Sequence, residues 1–325
     1  MTTGLMLDKT LTLRVGEFDT PALAAGDVRL APEWAGLCGS DLHVLHTGAW
    51  VDYWPAVLGH EVIGTVTDPG TSTLAVGTRV IADSRYACGN CADCARSARF
   101  CGALTWLGES RPGGFATQLD VTATRVSVVP DGLASDVAVL AEPLAVVMRA
   151  LDAVHEAPST ILLLGYGPIG ALTHREAVRR WPEAAISVSE PAAHRAAGAA
   201  LAGADVLSDS PQDSGFDLVI DAAGFPGAVR AAFSAARRGG SVLLVAIGDH
   251  PIGLTSQEFV EKGVSLFGGI GFDDGDIDRA LVVLAANPDA FADIVTHRID
   301  LTAFPEFLGN LAGANAGKVL IRCQA

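Results

Sequence analysis

An apolar run, Thr160-Ile161-Leu162-Leu163-Leu164, passes directly into Gly165-Tyr166-Gly167-Pro168-Ile169-Gly170. A strand that never alternates with polar residues has no solvent face, so it needs cover on both sides, as in the middle of a parallel sheet. Similar runs follow at 186–189, 218–221, 241–247 and 264–267, with Ala-rich helical stretches at 192–201 and 228–237. Strand alternating with helix predicts a doubly wound parallel sheet, and therefore an α/β protein.

The glycine turn adds a chemical expectation. In a G-x-G-x-x-G that follows a strand and opens a helix, the first glycine makes the tight turn and the second lets backbone approach a pyrophosphate. The third lets helix and strand pack closely, and the helix N-terminus offers its N–H groups to the phosphates. Gly165, Gly167 and Gly170, with Pro168 and Ile169 between the last two, thus form a candidate dinucleotide cradle. Glu190, twenty residues past the last glycine and at the end of the next strand, is placed to accept from both ribose hydroxyls and to repel a 2′-phosphate. NAD is therefore expected, with NADP the lesser alternative; Arg195, a turn further on, is an imperfect phosphate ligand.

About 130 residues before this region read differently, as short β segments such as 62–67 and 79–82 broken by Gly and Pro. An Ala/Leu/Val helical pattern over 135–154 connects the two parts, and Lys318-Val319-Leu320-Ile321-Arg322 reads as a closing strand. The expected organisation is a β-rich domain at 1–143, the parallel-sheet domain at 144–288, and a return segment at 289–325.

Two constellations carry metal chemistry. Cys88, Cys91, Cys94 and Cys101 pack four thiols into fourteen residues. This predicts a closed structural zinc site in a loop with little core of its own, an iron–sulfur cluster or disulfides being the alternatives. Cys38, in Cys38-Gly39-Ser40-Asp41-Leu42-His43, and His60, in Gly59-His60-Glu61, suit a second zinc that keeps one position open. A third ligand is needed there, and Glu61 and Glu142 compete for the place.

Composition narrows the partners. A formal net charge of −15 disfavours nucleic acid and anionic membrane surfaces. No signal-peptide pattern opens the sequence and no apolar run approaches a membrane span, so no membrane association is expected. Clustered cysteines in a chain of this length suggest metal ligation in a reducing compartment, and a cytoplasmic location is expected.

Taken together, the Cys38–His43 and Gly59–Glu61 segments, Gly77-Thr78-Arg79-Val80, the four-cysteine loop and Gly113-Gly114-Phe115-Ala116 resemble zinc-containing medium-chain dehydrogenases/reductases. Glu142-Pro143-Leu144-Ala145, the glycine turn and Gly317-Lys318-Val319-Leu320-Ile321 extend the resemblance over nearly the whole chain in the family's order. The branch most similar is that of sorbitol and other polyol or sugar dehydrogenases. The resemblance implies a GroES-like β domain built from both ends of the chain beside a Rossmann domain. It also implies catalytic ligands Cys38, His60 and one of Glu61 or Glu142, proton acceptance by Ser40, relay by His43, and a homodimer or homotetramer. The expected reaction moves a hydride from a secondary hydroxyl of a polyol, sugar or cyclitol to NAD. A simple secondary alcohol or threonine is the alternative substrate, and a zinc-free reductase-like or non-catalytic relative a remoter one. Trp50, Tyr53, Trp54 and Trp106 fall in segments that border the substrate pocket in such proteins. Two features depart from the family: six residues, where seven are usual, separate Cys94 from Cys101, and the chain is somewhat short.

Overall fold

The computed structural model describes residues 1–207, 215–248 and 250–324. The chain divides into two compact units, one comprising Met1–Glu142 with Asp273–Ala325 and the other Pro143–Phe272.

In the second unit the strands are all parallel and lie in the order Asp205–Val206, Ala185–Ser189, Thr160–Leu164, Phe216–Asp221, Ala236–Leu244, Ser265–Gly268. By sequence rank this is 3-2-1-4-5-6, the doubly wound order whose switch point lies beside the first strand. Ile161 to Leu164 are almost wholly buried, as an unalternating strand requires. Leu162, Leu164, Val219 and Val242 form one core cluster with Ala232 and Phe233 of the helix Ala228–Ala235. At the opposite end of the strands, Asp217 accepts from the backbone N–H groups of Ser159 and Thr160 at 2.8 and 2.9 Å and from Arg237 Nε at 2.5 Å.

The first unit is built from both ends of the chain, as the resemblance implied. Its main sheet runs Val126–Val128, Arg79–Ala82, Glu61–Asp68, Asp27–Gly36, Lys318–Arg322, Val295–Asp300, with Leu119–Thr122 also pairing with Asp27–Gly36. The C-terminal strand pairs antiparallel with Asp27–Gly36, placing Leu320 opposite Gly36. A smaller sheet joins Thr2–Leu7 to Leu13–Phe18 and Ala56–Val57. Between them lies an apolar core including Leu30, Val62, Val80, Leu119, Val319 and Ile321.

Several sequence expectations shift. The helical pattern at 135–154 divides into Ser135–Ala138 and Ala141–Leu151. Pro143 falls in the first turn of the latter, where no intrahelical N–H is required. The helix read at 228–237 ends at Ala235, because Ala236 already begins the strand Ala236–Leu244, which also stops short of 247. The parallel-sheet unit ends at Phe272 rather than 288. Asp273 and Asp274 are drawn into the first unit by Arg99, Arg85 and Arg125, so the Asn287-Pro288 break is a turn inside the return segment. Among the described residues no helix is long and apolar enough to cross a membrane.

Arg237 and the two N–H groups hold the Asp217 carboxyl at about 2, below its usual 3.8. A depressed folded-state value means its stabilisation is complete above the unfolded value and disappears as the pH falls through the folded one. Asp217→Asn is therefore expected to lower the urea midpoint at neutral pH. The gap from the parent protein should close between pH values of about 4 and 2; a gap constant over that range would remove Asp217 from the account.

Candidate active site

The helix Gly39–Thr47 begins immediately after Cys38, and Asp41 sits in its first turn with its side chain buried. One Asp41 oxygen accepts from the Cys38 N–H at 2.9 Å and the other from the Gly59 N–H at 3.2 Å. His60 Nδ1 lies 3.7 Å from the second oxygen. A single carboxylate thus ties together the two turns that carry Cys38 and His60. The sequence placed Asp41 beside the ligands, but the Gly59 bond is legible only in three dimensions.

Glu61 opens the strand Glu61–Asp68 and pairs in register with Gly36. A Cβ on Gly36 would stand 2.0 Å from Glu61 Oε2, so glycine is what leaves room for the carboxylate. Sγ of Cys38, a ring nitrogen of His60 and a carboxylate oxygen of Glu61 all lie within 4.8 Å of one another. Thiolate, imidazole and carboxylate in that proximity make a donor set suited to zinc. Burial disfavours the imidazolium of His60, yet the negative charges of Asp41 and Cys38 prevail and hold its pKa well above 6.5. The pocket is therefore one that prefers positive charge.

Glu142 stands apart from that group of three. It is buried, and Ser84 Oγ donates to its Oε1 at 2.7 Å. Burial pushes its carboxyl up to about 7, reinforced by the Glu61 charge and opposed by His60, the Ser84 hydroxyl and Lys318. Lys318 was missed as a site residue. One of only three lysines in the chain, it is buried on the C-terminal strand, contacts Glu61 Oε2 and donates to the Leu37 carbonyl at 3.1 Å. Its place at the head of the apolar run Val319-Leu320-Ile321, in a chain with so few lysines, was the available signal.

Ser40 and His43 are three residues apart on the helix Gly39–Thr47 and so share a face, Ser40 half-buried and His43 exposed. His46 is turned back on its own helix, its Nδ1 lying 2.6 Å from the Leu42 carbonyl oxygen. Tyr53 and Trp54 pack against the first unit's core, Trp106 lies on the short strand Thr105–Trp106, and Trp50 is exposed against His43. Cys323 is buried, and burial pushes its thiol up to about 12, leaving it unreactive.

The four clustered cysteines converge despite the shortened spacing. Sγ separations are 3.5 Å for Cys91–Cys94 and Cys88–Cys101 and 3.8 Å for Cys88–Cys94. Tetrahedral thiolates about 2.3 Å from zinc lie roughly 3.8 Å apart, so the set fits zinc and no disulfide. No residue of the intervening helix Ala92–Arg96 is buried. Outside the thiols, the lobe is tied down by Ser97 Oγ and Arg99, which both bond to Asp273, the latter at 2.9 Å.

In the parallel-sheet unit, Gly165 adopts φ +90° and its absent Cβ would press on Ala223, while a Cβ on Gly170 would come within 2.3 Å of the Gly165 carbonyl oxygen. Gly167 caps the helix Pro168–Arg180, and the place its Cβ would take has no atom within 4 Å. That opening at a helix N-terminus fits a pyrophosphate. Glu190 is more occupied than the motif suggested. Tyr166 N–H donates to one oxygen at 2.7 Å, while Ala192 N–H and Arg195 Nη2 donate to the other at 2.8 and 3.0 Å. Burial would raise its pKa, but Arg195 and the two N–H groups lower it on balance.

Residues 24–131 match the model of the alcohol dehydrogenase GroES-like domain. Over 327 residues, 93% of each chain, the protein is 26% identical to an L-threonine 3-dehydrogenase of Pectobacterium carotovorum. A Sinorhizobium meliloti 1021 protein classed as a zinc-binding dehydrogenase and bound to NADP superposes with a TM-score of 0.91 at 26% identity, covering 99% of both chains. L-idonate 5-dehydrogenase of Escherichia coli K-12 gives 0.88 at 26% identity, covering 99% of this chain and 98% of that one.

Two substitutions test the metal geometry. Asp41→Ala should loosen both ligand turns and weaken zinc retention about tenfold or more, the usual consequence of losing a group that orients ligands. Undiminished zinc content after dialysis against a chelator would refute this. Cys94→Ser should cost one zinc per chain and several degrees of melting temperature, without altering zinc at the Cys38 set.

Proposed function

We propose that the chain, which is similar over most of its length to alcohol, polyol and threonine dehydrogenases, is a zinc-dependent, nucleotide-using dehydrogenase of secondary hydroxyl groups. The observation that carries the reading is the convergence of Cys38, His60 and Glu61 within 4.8 Å, with Asp41 binding both turns.

Cys38, His60 and Glu61 would hold the zinc, and Glu142 would be the carboxylate kept in reserve beside them. A zinc ion held there would supply Lewis-acid chemistry toward a substrate hydroxyl. The hydroxyl proton passes to Ser40, then to His43 one turn along the same helix, and from that exposed ring to solvent. A nicotinamide cofactor held at the glycine turn of Gly165, Gly167 and Gly170 would supply the hydride acceptor for oxidation of a secondary hydroxyl to a ketone. Asp41 keeps the ligand turns fixed throughout, and Lys318 balances the charge of Glu61. The Cys88, Cys91, Cys94 and Cys101 set would hold the structural zinc.

The dinucleotide is NAD in this reading, because Glu190 offers its carboxylate to the adenosine ribose. Arg195 offsets part of that charge, which supports NADP as a second cofactor. Polyols, sugars and cyclitols lead as substrates through the likeness to L-idonate 5-dehydrogenase. The likeness to L-threonine 3-dehydrogenase favours threonine equally. Both classes present a secondary hydroxyl with a polar neighbour. Association into a homodimer or homotetramer is part of the proposal, supported by the sheet's outer strand Ser265–Gly268, where Leu266 is exposed and Ile270 stands just beyond.

The deciding experiment is reduction of NAD and NADP over a panel of polyols, sugar acids, cyclitols, short secondary alcohols and L-threonine, with zinc measured on the same sample. Turnover with at least one secondary alcohol is expected, falling by about 10²-fold or more in Cys38→Ser while NADH binding persists. Full activity in Cys38→Ser would end the zinc assignment.

A further inference from the structure

Trp50 is the outlier of the segment that follows the ligand-bearing helix. Its φ is +70°, in the left-handed region that a bulky side chain rarely occupies. It is also 46% exposed, so core packing does not explain the strain. What the unusual backbone achieves is a ring contact: the indole and the His43 imidazole stand 4.2 Å apart between centroids and 30° from parallel.

The flanking chain holds this conformation from both sides. Gly48 ends the helix in the left-handed region with its N–H on the Val44 carbonyl at 2.8 Å. The Ala49 N–H donates to Thr47 Oγ1 at 3.1 Å, while Thr47 Oγ1 donates to the His43 carbonyl at 2.7 Å. Past the tryptophan, the Asp52 N–H donates to the Glu109 carbonyl at 3.0 Å, and Tyr53 OH both accepts from and donates to the Val57 backbone at 3.0 Å. Strain survives only where its surroundings over-determine it, and such places concentrate at functional sites. An exposed histidine on a helix would otherwise sample several rotamers.

We propose that Trp50 is a positioning residue for His43, a stacked indole that confines the imidazole to one orientation on the helix face it shares with Ser40. The role rests on the reading of His43 as the proton relay. Stacking restricts the ring without occupying either nitrogen, so both remain free to take and give a proton. A hydrogen-bonded partner would consume one of them.

The contact itself is tested without substrate. An imidazole stacked on an indole quenches its emission, the more so when charged, so the fluorescence is read over a series of acidic pH values. His43→Gln should therefore raise intrinsic fluorescence by up to about one part in four, the limit in which Trp50, one of five tryptophans, is dark and the others emit equally. The same change should leave Trp50→Phe emission unaltered. Equal effects in the two backgrounds would overturn the stack.

The role is tested by kcat with the best alcohol of the panel above. Trp50→Ala should lower kcat about tenfold with the KM for NAD and the zinc content unmoved, and Trp50→Phe should recover most of the loss, an aromatic pair being worth about that factor. In a His43→Gln background, Trp50→Ala should add nothing further. If His43→Gln itself leaves kcat intact, the relay reading fails while the fluorescence result still reports on the stack. If His43→Gln lowers kcat but Trp50→Ala does not, or lowers it additively, the positioning role is wrong.

Discussion

The Asp41 carboxylate is the interaction on which the candidate site depends. Cys38 and His60 lie on opposite sides of a helix and a long turn, and nothing in their local sequence brings them together. Two backbone N–H groups, those of Cys38 and Gly59, meet on one buried carboxylate, and hydrogen bonds to a charged acceptor are each worth about 1.5–3 kcal/mol. The donor atoms then stand close without having to be gathered by the metal. Preorganisation of this kind leaves the ion's binding energy for chemistry instead of for loop ordering. The charge of Asp41 would also favour a cation there, since its negative field helps hold His60 above its ordinary range.

Around that core the carboxylates are graded by their neighbours. Glu61 has a buried lysine against it and no room to spare beside Gly36. Glu142 has a serine hydroxyl and a dry surrounding that makes it half-protonated near neutrality. Two glutamates indistinguishable as residue types thus acquire different characters, one paired with a buried ammonium, the other poised to give up or keep its proton. The distinction arises from tertiary packing and could not be read from spacing.

Legibility in the sequence followed the range of the interaction. The strand Thr160–Leu164 and the closing strand Lys318–Arg322 were read at their observed limits, because an apolar run bounded by glycine or by charge carries its own ends. The convergence of the four cysteines was legible for the same reason, all the thiols lying in one short loop. Boundaries were lost where tertiary pairing decided them. Ala236 looks helical by composition and becomes a strand through its pairing with Phe216, and residues after Phe272 belong to the first unit through aspartate–arginine pairs. The roles of Lys318 and of the Arg195–Glu190 pair stayed hidden because each joins elements remote in sequence or competes for a group already assigned to a ligand.

The contribution of Lys318 sets an order on assembly. The parallel-sheet unit is one continuous stretch, 143–272, and holds all its strand partners once that stretch has left the ribosome. The first unit cannot close until the strand Lys318–Arg322 inserts beside Asp27–Gly36 and brings the ammonium to Glu61. Until then the Glu61 carboxylate faces the other acids of the site without its counter-ion. The parallel-sheet unit thus has all its strands before the chain has delivered the strand that closes the other unit.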